Sequence, residues 1–137
     1  MKTKVSMLEL REALEASWDA STSYGGVFEA GNSALGQCYP TSAVVQHFYP
    51  EVEIVEGEVW TGKSIEKHFW NLLISDGNEY HVDFTWQQFP PESVVHGYRM
   101  RDREAREDSP ATIARCDFLR DTVARLLTRK RGDVEAC

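Results

Sequence analysis

Hydrophobic positions recur along this chain at two different periods, and the changes of period divide it into elements. Ser6-Met7-Leu8-Glu9 reads as a capping box, a hydroxyl followed three residues later by a carboxylate. Leu10, Leu14 and Trp18 follow at helical spacing and predict a helix over 7–18. Residues 19–36, DASTSYGGVFEAGNSALG, hold no period and read as a long loop. Helical spacing resumes at Cys38 and runs to Phe48, with Val44, Val45 and Phe48 on its apolar face. Pro40 fits the first turn, and Pro50 ends the helix.

From Val52 the period falls to two. VEIVEGEVWTG and KHFWNLLISDGNEYHVDFTW alternate around β-branched and aromatic residues, with Asp76-Gly77 as a hairpin turn. The pattern predicts at least three antiparallel strands near 53–61, 67–74 and 79–85, closed by QQFPPES with its two prolines. Arg99 to Glu107 is a mixed-charge run expected as a solvated face, placed where a substrate flap would lie. Ser109-Pro110 then starts a last helix, with Ile113, Cys116, Leu119, Val123, Leu126 and Leu127 as its stripe and its end near Arg129. The expectation is an α+β fold, an antiparallel sheet packed against the helix that bears Cys38. Residues 1–130 would form one domain and 131–137 a disordered tail.

Composition narrows the function classes. The chain has 137 residues, 42% hydrophobic and 27% charged, which is ordinary for a globular domain. No apolar run approaches the ~20 residues of a membrane span. The acid-studded N-terminal stretch does not read as a secretory leader, so a cytoplasmic protein is expected. The formal charge of −7 argues against nucleic acid and anionic membranes as partners. Three cysteines, Cys38, Cys116 and Cys137, form neither CxxC pairs nor an even set, which argues against a disulfide framework or structural zinc.

Thiol chemistry needs a nucleophile, a base and a group that orients the base. Cys38 opens a helix, whose N-terminus favours a thiolate; a small buried residue is the plain alternative. His68 lies on one expected strand and Asp83 on the next, so their side chains can meet across the hairpin. The carboxylate would fix the tautomer of the imidazole and stabilise its charged form.

The motifs GQCYPTSAVV, HFWNLL and DGNEYHVDFTWQQF resemble those of the transglutaminase-like, papain-like cysteine enzymes. The likeness is closer to the small bacterial YunG-like family. Its pattern is met here by Trp18 with Thr22-Ser23-Tyr24, Gly36-Gln37-Cys38, His68-Phe69-Trp70-Asn71, and Asp83 to Phe89, so that the resemblance spans roughly residues 14–127. It implies a triad of Cys38, His68 and Asp83, and an oxyanion site that includes the Cys38 N–H. Gln37, Trp18 and Gln88 are the candidates, in that order, for a second donor. It implies an enzyme that passes an acyl group through a Cys thioester, by amide hydrolysis, deamidation or amide formation. The substrate would be a small-molecule or peptide amide, with no metal or organic cofactor. Acyl donor, acceptor and oligomeric state stay open.

Other readings stand beside this one. The scaffold can carry a catalytically silent binding or accessory protein, or a thiol-based redox or metal-binding protein using Cys38, His68 and His81. His81 shares a sheet face with Asp83 and reads as a rim residue. Trp60, Trp70 and Trp86 read as core, Trp70 also as a wall beside His68. Tyr24 and Ser23 read as pocket lining or as a loop clasp, and Asn71 as a strand brace. His47 is expected to be structural, His96 a loop residue and Cys116 buried. Cys137 has no evident role.

Overall fold

The computed structural model describes residues 5–104 and 108–135. Helix α1 (Met7–Ser17) starts on the expected capping box, with the Ser6 side chain accepting from Glu9 N and the Glu9 side chain accepting from the Ser6 backbone N–H. Helix α2 spans Cys38–Phe48, as expected. Strands β1 (Glu53–Trp60), β2 (Ile65–Ser75), β3 (Asn78–Val82) and β4 (Val94–Met100) precede the long helix α3 (Pro110–Glu135). Ser109 caps α3 through its Oγ, which accepts from Thr112 N at 3.1 Å.

The fold is α+β. One four-stranded sheet runs in the order β3-β2-β1-β4, with antiparallel pairing throughout. The β2–β3 hairpin turns on Asp76 and Gly77, both at positive φ (53° and 77°), as a tight turn matched to the strand twist requires. Helices α1, α2 and α3 share a core of Leu10, Leu14, Val44, Val45, Leu119, Val123 and Leu127, joined by Val52, Leu73 and Phe84 from the sheet side. Asn71 is the polar tie between layers. Its buried amide donates to Ser42 O in α2 (3.1 Å) and to Glu53 O in β1 (3.3 Å). A smaller cluster of Val55, Trp70 and Leu72 lies on the sheet itself. Gly57 is required there, because a Cβ would run into the Trp70 ring and the Gly97 carbonyl.

Several expectations need correction. The sheet does not end at the prolines. After them β4 returns to pair with β1, so His96 lies on a strand and not in a loop. Every side chain of β4 is exposed, so it shows no in-and-out alternation for the sequence to reveal. Trp60 is not core; it is 37% exposed and stacks on His96 at 6.4 Å. Cys116 is half-buried rather than buried. The charged run from Arg99 is solvent-exposed as expected, apart from half-buried Arg101, but its described part beyond Met100 is tied to the residues at the start of β1. Arg101 N donates to Ile54 O (2.8 Å), and the Arg103 guanidinium donates to Glu53 Oε1 (2.8 Å) and to Val52 O (2.9 Å). Residues 105–107 of the candidate flap lie outside the described residues. Helix α3 passes the end expected near Arg129 and continues to Glu135, into the segment expected as tail. Cys137 lies outside the described residues.

Candidate active site

The site starts from the loop that delivers Cys38. Gln37, fully buried, accepts from Thr22 Oγ1 (2.7 Å) and donates through Nε2 to Asp19 O (3.0 Å). The Trp18 indole N–H donates to Thr41 Oγ1 (2.9 Å), tying the end of α1 to the first turn of α2. Tyr24 N donates to Gly36 O (2.9 Å). Gly36 sits at φ +79°, and the Ser23 hydroxyl occupies the space a Cβ would need. The loop is therefore a clasp around the turn into α2. Cys38 follows as the first helical residue, with its side chain partly exposed.

His68 comes from β2 and is fully enclosed. Its ring stacks on Trp70 (5.4 Å between centroids) and meets Phe89 edge-on (4.8 Å) and Trp86 at 6.1 Å. His68 Nε2 lies 2.7 Å from Asp83 Oδ2, just past the end of β3. The other oxygen of Asp83 accepts from Thr85 N (3.1 Å) and Thr85 Oγ1 (3.3 Å), so the carboxylate is held from both sides. Nδ1 is buried and meets no partner in standard hydrogen-bond geometry. The Cys38 thiol lies near enough to the ring to favour its charged form. Burial opposes the charged ring. Asp83 and Cys38 outweigh that penalty and push the His68 pKa up to about 9.

Cys38 opens onto a cleft of about 680 Å³ between loop 24–36, the start of α2, β2 and the start of α3. Tyr24, Tyr39, Phe69 and Gln88 line it, with Arg101, Asp108 and Arg115 on its far wall. Tyr39 donates its hydroxyl to Asp108 Oδ2 at 2.6 Å; burial and that bond push its pKa up to about 12. Arg101 lies over the Tyr39 and Phe69 rings, at 5.0 and 5.6 Å. A second cleft of about 650 Å³, on β1, β2 and β4 around Glu56, Glu58, His96 and Arg99, has no cysteine in its lining.

The expected residues thus separate by place. Cys38, His68 and Asp83 converge. Tyr24 and Gln88 line the cleft, whereas Gln37 and Trp18 have their side chains committed to the clasp. Trp70 backs His68 and donates its indole N–H to His81 Nδ1 (2.9 Å), while His81 itself stays exposed at the rim. Among the described residues, no group of three or more His, Cys, Asp or Glu side chains is placed to hold a metal ion. Sequence reasoning missed Tyr39, Asp108, Arg101 and Arg115. Tyr39 stands beside Cys38 and was open to notice; the other three reach the cleft from elements 60 to 80 residues away and carry no motif.

These features define a class: an α+β domain whose helix-borne cysteine meets a buried histidine–carboxylate pair at the edge of a cleft. A family model described as YunG protein matches residues 6–128, and the chain belongs to that family. Neither curated proteins nor solved structures yield a match. Among the described residues, no helix is long and apolar enough to cross a membrane.

Proposed function

We propose that this protein is a cysteine-dependent acyl-transfer enzyme, a thiol hydrolase or acyltransferase of transglutaminase-like, papain-like type. The observation that carries this reading is the enclosed His68 held by Asp83 at 2.7 Å, with the Cys38 thiol near enough to raise the His68 pKa and itself lining a cleft. In this reading the Cys38 thiolate attacks an amide carbonyl carbon. A C–S bond forms, and the C–N bond breaks as His68 gives its proton to the leaving amine. Water or an amine then attacks the thioester, His68 takes its proton, and the thiolate leaves. Asp83 orients His68 and keeps it charged when needed. The Cys38 N–H, in the first turn of α2, has no acceptor within its own helix and meets none among the described residues outside it, which leaves it for an oxyanion. Gln88 becomes the first candidate for the second donor: it alone of the three lines the cleft, and although its Nε2 donates to Thr85 O (3.0 Å), an amide NH2 carries a second N–H.

A burst experiment with a p-nitrophenyl ester tests this. We expect a burst of p-nitrophenolate stoichiometric with protein, lost in Cys38→Ser and slowed about 100-fold or more in His68→Ala. A burst that survives Cys38→Ser would overturn the assignment. The second reading, a silent binding protein on the same scaffold, draws on the complete enclosure of His68. It requires no burst at all.

A further inference from the structure

The whole chain is acidic, at −7, yet among the described residues the cleft beside Cys38 is lined by three cations, Lys67, Arg101 and Arg115, against one carboxylate, Asp108. Two of the cations are already matched. Lys67 Nζ lies 2.6 Å from Glu56 Oε1, and Arg101 Nη1 lies 3.8 Å from Asp108 Oδ1. Arg115 has no carboxylate partner among the described residues. Its guanidinium lies over the Tyr24 ring at 5.5 Å, and its Nη2 donates to Thr112 Oγ1 at 3.0 Å. Its Nε is buried and has no hydrogen-bond partner among the described residues.

A guanidinium is always charged and presents its donors as a planar fork. The enclosed Nε is as closed to a ligand as to water, so a ligand would be taken by the terminal nitrogens, and the acceptor that suits their paired donors best is a carboxylate. Tyr24, Thr112 and Arg115 all line the cleft that holds Cys38. The Tyr24 face and the Thr112 hydroxyl hold the guanidinium in place, which lowers the entropy cost of using it. We infer that Arg115 is a carboxylate-binding residue, and that the molecule taken at Cys38 carries an anionic carboxylate received by this fork, with Arg101 as the second cation nearby. This inference rests on the acyl-transfer reading and names the substrate class for it.

The test is protection of Cys38 from iodoacetamide, followed on the Cys38 peptide by mass spectrometry in the full chain. Succinate is the probe, and uncharged succinamide is its control. We expect saturating succinate to slow alkylation about fivefold or more, and succinamide to have no effect. Arg115→Gln should abolish the protection. Should that variant fail to fold, Arg115→Lys, which keeps the charge and loses the fork, should weaken protection about threefold or more. Fast, His68-dependent alkylation that succinate does not slow, or slows equally in the Arg115 variants, overturns the carboxylate inference alone. Slow alkylation indifferent to His68 overturns the acyl-transfer reading and this inference with it.

Discussion

His68 is where opposing forces are most closely balanced. Full enclosure among Trp70, Trp86 and Phe89 disfavours an imidazolium, and Asp83 at 2.7 Å, with Cys38 as the lesser contributor, more than compensates. The carboxylate can do this because Thr85 fixes its other oxygen. Asp83→Asn keeps the shape and removes the charge, so burial should then win. We expect an NMR titration of the His68 ring to move from a midpoint near 9 in the wild type to near or below the ordinary 6.5 in Asp83→Asn. A midpoint that stays near 9 would mean that Asp83 is not the controlling partner. At this scale the sequence was informative. Cys38, His68 and Asp83 stand in the order that a nucleophile, a base and its orienting group need, and the hairpin at Asp76-Gly77 brings Asp83, just past the end of β3 rather than on it as expected, to His68 on β2. The carboxylate's anchor, Thr85, was legible only as part of a motif. Arg115 was not legible, because one arginine on a polar helix face looks like any other.

Elements position these residues through a few polar ties. Asn71 joins α2 to β1 and β2 by two bonds from a buried amide. Asn71→Ala removes both donors and leaves the Ser42 and Glu53 carbonyls short of partners. We expect a loss of about 1–3 kcal/mol in chemical unfolding, with a shift in Cys38 reactivity because α2 loses its anchor. A loss within about 0.5 kcal/mol would show that the helix is held by its apolar face alone. The helices and the β2–β3 hairpin could be read from spacing, caps and turn residues, since each carries its own local signal. Strand β4 could not. It pairs with β1 by backbone, its side chains are exposed, and Gly97 interrupts its run. Loop 19–36 showed in the sequence as a long loop, with a clasp as one of two readings of Ser23 and Tyr24; its bonds depend on Gln37 turning inward, and a buried glutamine is rare enough that sequence alone points outward.

For the whole molecule, the His68 shift is also a statement about stability. A group whose pKa is higher in the folded state adds stability below its unfolded pKa of 6.5, and that contribution is lost as pH rises through about 9. We therefore expect the wild type to lose stability between these values relative to His68→Gln, by at most about 3 kcal/mol. Parallel stability curves for the two proteins across that window would remove the folded-state imidazolium. Family membership over residues 6–128 gives no substrate, so the chemistry has to be read from the cleft.

The most direct measurement is the rate of Cys38 alkylation by iodoacetamide as a function of pH, in the wild type and in His68→Ala, followed on the Cys38 peptide. We expect rapid reaction already at about pH 6–7, falling about tenfold or more in the variant, as a thiolate held by an imidazolium requires. A slow reaction that rises only around pH 8.5, like a free thiol, and ignores the loss of His68 would contradict a working Cys38–His68 pair.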